Sequence, residues 1–322
     1  MHNRENALNI WLESRLAPSQ FSLTPLAGDA SFRRYFRLYH DDKTQIIMDA
    51  PPPKERIEPF LSIAALLRDN GIHSPQIHAV DNEQGFAILD DFGDLLLLSQ
   101  LNPSNADSLY KKAIDTLLVM INCKTSELPN FNRHYIFQEL AIFKEWFLQA
   151  YLKLELSSSE EALLEKTFTI ISEEILKQPQ VFIHRDYHSR NIMLLPNQQL
   201  GILDFQDAMR GPLSYDLVSL LKDCYIQWPD EKIKIWVDYF YNHSEQVQQQ
   251  YSLPEFTRAF EYCGLQRHLK VLGVFSRLFL RDNKPNYLKD LPLTLHYVMA
   301  SLEANDELKP FYQFMQNRIQ LP

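Results

Sequence analysis

The stretch VFIHRDYHSRNIMLLPNQQLGILDF, residues 181–205, constrains this chain more than any other. Short β-type runs bracket a polar loop, and an Asn-Gln-Gln turn region follows it. On either side the chain reads as amphipathic helix, near 104–125, 133–155, 159–177, 214–226, 230–245, 254–282, 286–303 and 306–318, separated by breakers such as Pro129, Pro179, Pro229 and Pro254. A loop this dense in charged and hydrogen-bonding groups, held between apolar runs inside a helical region, is where chemistry is expected.

The first third of the chain has a different texture. RRYFRLYH at 33–40 alternates, TQIIMDA at 44–50 is apolar and FAILDD at 86–91 is short, so a small sheet is expected over about 21–92. The alternation puts Phe36 and Leu38 on one face and Arg33, Tyr35 and Arg37 on the other. Ile57, Phe60, Leu61, Ala64 and Leu67 mark one helix that stops at Asn70-Gly71. The fold class is therefore α+β: a small antiparallel-sheet lobe over 1–92, a link at about 90–94, and a larger helical lobe over 95–322.

Charge and cysteine content exclude several classes. With 32 Lys plus Arg against 41 Asp plus Glu the formal charge is −9, which argues against nucleic acid as a partner. Three scattered cysteines, Cys123, Cys224 and Cys263, give no disulfide framework and suit a reduced, cytoplasmic protein. The N-terminal segment carries Glu5 and Glu13, with Leu8, Trp11, Leu12 and Leu16 at helical spacing, so it reads as a helix of the fold. No apolar run approaches the length that spans a membrane.

The loop itself reads His184-Arg185-Asp186-Tyr187-His188-Ser189-Arg190-Asn191, or H-R-D-x-x-x-x-N, and Asp204 follows thirteen residues after Asn191 in Leu-Asp-Phe. These spacings resemble those of phosphotransferases of the protein-kinase superfold. Phosphoryl transfer needs an oriented hydroxyl, an acceptor for its proton, and cations on the phosphate oxygens. Asp186 suits the first two needs, and Asn191 and Asp204 offer the hard oxygens that Mg²⁺ prefers. His184 and Arg185 are expected to support the loop from behind, and Asp216, in Ser-Tyr-Asp-Leu, to accept hydrogen bonds from its backbone. Arg190, Asp207 and Asp223 are substrate candidates, with Tyr225 and Trp228 as aromatic neighbours. Toward the nucleotide, the turn at Asp29, Ala30 and Ser31 is expected to present N–H groups and a hydroxyl to phosphate. Arg33 would add charge, and the backbone of Asp90, Asp91 and Phe92 would meet the adenine edge.

H-R-D-Y-H-S-R-N, I-L-D-F-Q-D-A and Y-D-L together resemble the aminoglycoside phosphotransferase and choline-kinase-like branch of that superfold, over nearly the whole chain. More narrowly, G-D-A-S-F-R-R-Y-F-R at 28–37 and M-D-A-P-P at 48–52 look like the anomeric kinases of bacterial cell-wall sugar recycling. That resemblance implies ATP and Mg²⁺ as cofactors and an amino sugar, N-acetylmuramate or N-acetylglucosamine, phosphorylated at its C1 hydroxyl to the α-1-phosphate. It also implies a functional link to a nucleotidyltransferase that consumes this product. Kinases of another small alcohol (an aminoglycoside, choline or homoserine) share the same three residues, and an inactive nucleotide-binding scaffold is a further alternative. One departure stands out: the strand expected to end in a phosphate-binding lysine ends in Ile46-Ile47-Met48-Asp49. Arg33 or Arg34 would have to supply that charge, and a sugar carboxylate would want an arginine such as Arg190 or Arg210.

Overall fold

Phe36 and Leu38, two residues apart in the strand RYFRLYH, pack on the core of the first part of the molecule. The computed structural model describes residues 2–18, 20–26 and 32–321. Helix α1 (His2–Leu16) leads into strands β1 (Phe21–Leu26), β2 (Arg34–His40) and β3 (Lys43–Asp49), helix α2 (Glu58–Asp69), and strands β4 (Ile77–Asp81) and β5 (Phe86–Asp90). The strands form one antiparallel sheet in the order β1-β2-β3-β5-β4. Leu38, Ile47, Phe86 and Ile88 of the sheet meet Leu8, Trp11 and Leu12 of α1, whose helical spacing gives it one apolar stripe. Full burial of each such side chain contributes about 1.5–3 kcal/mol. Asp49, at the end of β3, is buried and accepts from Arg4 Nε of α1 at 2.7 Å and from Arg34 Nη2 of β2 at 2.6 Å, so one carboxylate ties helix to sheet. Sequence periodicity does not mark β4, a five-residue strand at the sheet edge with too few residues to show alternation.

The rest is mostly helical: α3 (Leu97–Gln100), α4 (Ala106–Met120), α5 (Arg133–Ile142), a π-helical stretch Phe143–Tyr151, α6 (Ser158–Leu176), then strand β6 (Gln180–Ile183). After the polar loop come β7 (Ile192–Leu194), β8 (Leu200–Ile202), β9 (Met209–Pro212) and helices α7 (Tyr215–Leu221), α8 (Asp230–Asn242), α9 (Glu245–Gln250), α10 (Leu253–Leu280), α11 (Leu291–Glu303) and α12 (Lys309–Arg318). Ser157 with Glu160, and Ser252 with Glu255, form capping boxes that start α6 and α10. Residues 133–155, which read as one helix, instead change from α to π at Phe143; there Phe143 and Phe147 are buried and stack at 5.5 Å.

The chain divides into two compact units, Met1–Leu96 with Met193–Asp207, and Leu97–Ile192 with Ala208–Pro322. A contiguous helical lobe over 95–322 is therefore not what forms, because the β7–β8 hairpin groups with the sheet. Leu194 N–H donates to Leu95 O and Ile202 N–H to His73 O, each at 2.8 Å, while Phe205 stacks on Phe60 of α2 at 4.9 Å. A Cβ at Gly201 would lie 2.5 Å from the Phe92 ring, so only glycine lets the hairpin approach this closely. None of these partners lies near the hairpin in sequence, and its membership is set by non-local contacts.

The second unit is organised around α10, which packs on α5, the π stretch, α6, α7 and α11. Gly273 permits its approach to the α5–π junction: a Cβ there would lie 2.5 Å from the Ile142 carbonyl carbon and 2.7 Å from Phe143 N. No helix among the described residues is long and apolar enough to cross a membrane. Gly273→Ala is expected to lower stability by about 1–2 kcal/mol, since overpacking of about 1–3 kcal/mol exceeds the helix-propensity gain of about 1 kcal/mol. Urea unfolding checks this; an unchanged or raised midpoint would show that the spacing of α10 does not depend on glycine.

Candidate active site

In the second unit β6 pairs with β9 and delivers the chain, buried through His184, into the polar loop. Arg185 adopts φ +77°, a left-handed conformation that costs a non-glycine residue about 1 kcal/mol. Three contacts hold it there: its N–H donates to Asp216 Oδ1 at 2.9 Å, its guanidinium pairs with Glu139 Oε1 at 3.0 Å, and it lies over the Tyr135 ring at 5.1 Å. The next residue, Asp186, is half-buried. Its N–H donates to His184 Nδ1 at 3.3 Å, and its carbonyl accepts from His188 N–H and from Asn191 Nδ2, both at 3.0 Å. The loop thus closes on itself around Asp186.

Two buried carboxylates anchor the loop. Asp216, in the first turn of α7, accepts from the N–H groups of His184 at 2.6 Å and Arg185 at 2.9 Å. Asp223 accepts from Ser189 N–H at 2.9 Å, from the Ser189 hydroxyl, and from Tyr225 N–H at 3.0 Å. Asp223, a substrate candidate by sequence, is fully buried with both oxygens engaged, so its structural work is to hold the loop.

The electrostatics centre on Asp186. Burial pushes its pKa up, but the charges of Lys270, His188, Arg185 and Arg267 outweigh that and hold the carboxyl well below its ordinary value. The group is ionised at neutral pH and acts as an acceptor. Glu139, buried on α5, gathers part of this positive charge: it pairs with Arg185 at 3.0 Å and Lys270 at 3.1 Å and accepts from Gln266 at 2.8 Å. Sequence reasoning missed Glu139, Arg267 and Lys270. The signal was present, since Gln266-Arg267-His268 and Lys270 are polar residues set into an otherwise apolar helix.

The first unit holds the groups expected at the nucleotide end. Asp29, Ala30 and Ser31 lie outside the described residues. Arg33 is nearly buried, pairs with Glu55 at 3.3 Å, and hydrogen-bonds Tyr35, whose phenol is pushed up to about 12, chiefly by burial, with Asp204 and Glu55 adding to the rise and Arg33 opposing it. Arg33, Glu55 and Asp204 therefore converge on one phenol. Asp204 is exposed on the turn after β8 at φ +61°, and its Oδ1 accepts from Gln206 at 2.8 Å. Arg34, the other candidate for the missing lysine, is bound to Asp49. The Asp90 carboxylate contacts Gln76 N–H and His78, the buried Asp91 carboxylate pairs with Arg37 at 2.7 Å, and Phe92 covers Gly201. The carboxylates of Asp90 and Asp91 thus serve the unit itself.

Of the remaining substrate candidates, Arg190 lies over the Tyr225 ring at 4.6 Å, and Tyr225 also meets His188 at 5.3 Å. Asp207 is exposed, and Arg210 is exposed on β9. Trp228 is buried and donates to the Tyr110 hydroxyl at 2.8 Å, which makes it part of the core. No group of three or more His, Cys, Asp and Glu side chains fit to hold a metal occurs among the described residues. Asn191 of the second unit and Asp204 of the first each carry an oxygen of the kind a hard cation takes.

A strained loop that presents an ionised aspartate on buried anchors, with an Asn five residues on, matches the loop expected of a phosphotransferase of the protein-kinase type. The sequence pattern of the phosphotransferase enzyme family matches residues 22–249, and the chain belongs to that family. A protein of Pseudomonas aeruginosa named N-acetylmuramate/N-acetylglucosamine kinase is 38% identical over 320 residues, 95% of this chain and 94% of its own. One of that name from Neisseria meningitidis is 35% identical over 324 residues, 97% of this chain and 95% of its own. Among solved structures, a choline kinase from Streptococcus pneumoniae matches with a TM-score of 0.66 at 13% identity, over 92% of this chain and 99% of that one. An ADP-bound aminoglycoside phosphotransferase matches with a TM-score of 0.62 at 14% identity, over 90% and 97%. The protein-kinase-like fold is common to them.

The anchoring role of Asp216 has a pH signature. Burial pushes its carboxyl up to about 6, against the charge of His184 and the two N–H donors. A folded-state value above the unfolded one means that protonation favours the fold, so this contribution is fully present below about pH 4 and is lost as pH rises through about 6. The parent should therefore lose about 1 kcal/mol relative to Asp216→Asn, which cannot ionise, between pH 5 and pH 7.5. Urea unfolding of both proteins at the two pH values measures this, and parallel curves would rule out a raised pKa.

Proposed function

We propose that this chain is an ATP-dependent kinase that phosphorylates the anomeric C1 hydroxyl of N-acetylmuramate and N-acetylglucosamine, giving the α-1-phosphate. The observation that carries this reading is the identity, over about 95% of the chain, to relatives bearing that name. The H-R-D-x-x-x-x-N loop held as described supports it.

Asp186 accepts a hydrogen bond from the sugar hydroxyl and takes its proton as the phosphoryl group transfers. Its depressed basicity makes orientation the larger part of its work. Asn191 spends its amide nitrogen on the Asp186 carbonyl, so the amide oxygen is the atom it would present to a cation. Asn191 and Asp204 would hold Mg²⁺, which supplies charge neutralisation on the phosphate oxygens when bound. Arg33, braced by Glu55, takes the part of the missing strand lysine, since a guanidinium forks onto phosphate. Asp29, Ala30 and Ser31, with the backbone at Asp90–Phe92, would complete the nucleotide contacts. A sugar 1-phosphate is the substrate of a nucleotidyltransferase, and that class of enzyme acts next. All three cysteines are free and buried, which suits the reducing cytoplasm where ATP is available.

Phosphorus NMR of reactions with MgATP and each of N-acetylmuramate, N-acetylglucosamine, choline and kanamycin tests the assignment. A sugar phosphate coupled to a single anomeric proton is expected; turnover of choline or kanamycin alone would overturn it. Asp186→Asn should lower kcat by about 10²–10⁴-fold while still binding nucleotide, and chelation of divalent metal should abolish turnover. Full activity in Asp186→Asn would remove the aspartate from the reaction. Arg33→Met should weaken ADP binding by about tenfold, roughly one charge-assisted contact, measured by titration calorimetry. Unchanged affinity would mean that another cation meets the phosphates.

A further inference from the structure

Helix α10 sets a second cation beside the catalytic loop that phosphoryl transfer does not account for. Lys270 is committed to Glu139 at 3.1 Å. Arg267, one turn before it, is only 4% exposed, and its hydrogen bond runs from Nη1 to Cys224 Sγ at 3.7 Å. Burial raises the Cys224 pKa, so that thiol is neutral at physiological pH and does not offset the guanidinium. Among the described residues no carboxylate lies within ion-pairing distance of Arg267. Asp223, whose charge acts on it, has both oxygens on Ser189 and Tyr225. Asp186, whose charge also acts on it, is the acceptor for the sugar hydroxyl.

The nearby charges of Asp186 and Asp223 favour the ionised form of Arg267, yet no described carboxylate contacts it, so its N–H donors are open to a carboxylate that a ligand brings. Here the ligand would sit next to Asp186, on the unit that carries the acceptor, while Arg33 is the phosphate-facing cation of the other unit. The two sugars of the proposed reaction differ in one group of matching chemistry. N-acetylmuramate carries a lactyl ether on C3, two ring carbons from the reacting C1, and that ether ends in a carboxylate; N-acetylglucosamine has a hydroxyl there. A planar carboxylate takes two parallel N–H donors from one guanidinium. We propose that Arg267 is a specificity residue that receives the lactyl carboxylate of the acidic sugar. This places the carboxylate contact at neither Arg190, whose guanidinium lies on Tyr225, nor the exposed Arg210. The assignment rests on the sugar-kinase reading above.

The test compares kcat and KM for N-acetylmuramate, its lactyl carboxamide and N-acetylglucosamine. In the parent the carboxamide should show a kcat/KM at least tenfold below that of the acid, carried mainly by KM. In Arg267→Met the acid-to-carboxamide ratio should approach one, and the preference for N-acetylmuramate over N-acetylglucosamine should fall about 30-fold or more. Arg267→Lys, which keeps the charge and so preserves folding if the methionine variant does not fold, should regain part of that preference. Equal treatment of acid and carboxamide by the parent would overturn the proposal while leaving the kinase reading intact. So would an equal loss of kcat on all three substrates in Arg267→Met, or a loss of discrimination in Arg190→Met alone. Failure of the parent to phosphorylate either sugar would overturn both readings together.

Discussion

The hydrogen bonds from His184 and Arg185 N–H to the Asp216 carboxylate are the constraint on which the site depends. They fix the backbone at the point where Arg185 turns left-handed, and that turn presents Asp186 on a loop rather than continuing β6. Remove the carboxylate and two buried donors are orphaned at about 1–3 kcal/mol each, in a segment already carrying strain. Asp223 does the same work on the far side of the loop through Ser189. Both anchors come from α7 and the few residues after it, so the position of one short helix sets both ends of the polar loop.

Buried charge recurs as the organising device of both units. Asp49 joins α1 to β2 through Arg4 and Arg34, and Glu139 joins α5 to the loop and to α10 through Arg185 and Lys270. Each carboxylate collects more than one cationic or N–H donor, the arrangement that keeps a buried ion tolerable. Such multi-partner contacts specify one packing: shift α10 by a turn and both Lys270 and Gln266 leave Glu139.

The legible parts of this protein in the sequence are the local ones. H-R-D-x-x-x-x-N and Leu-Asp-Phe lie within a couple of dozen residues, the alternation at 33–40 reports one strand, and Asn70-Gly71 ends one helix, with Gly71 at φ +77°. What sequence could not order is non-local. The β7–β8 hairpin joins the sheet unit through His73, Leu95 and Phe60, and Asp223 turns from a substrate candidate into a loop anchor once Ser189 is seen beside it. Arg33 and Arg34 are adjacent and chemically alike, yet one, just before β2, pairs with Glu55 and the other, its first residue, with Asp49. Their partners are found only in three dimensions.

The charges around Asp186 limit how it can act. A carboxylate held well below its ordinary pKa by Lys270, His188, Arg185 and Arg267 is a poor proton acceptor from a free hydroxyl. It is, however, always ionised and always oriented, which suits a transfer whose transition state is loose and in which the hydroxyl proton need leave only late. The same four groups lower the energy of a nearby anion, so in the proposed reaction the features that weaken Asp186 as a base would make the acceptor side hospitable to negative charge. A site tuned for a strongly basic aspartate would have shed those cations. Here Glu139 pairs with Arg185 and Lys270, and the buried Arg267, in no ion pair with a described carboxylate, is the cation we propose to meet the substrate's own anion.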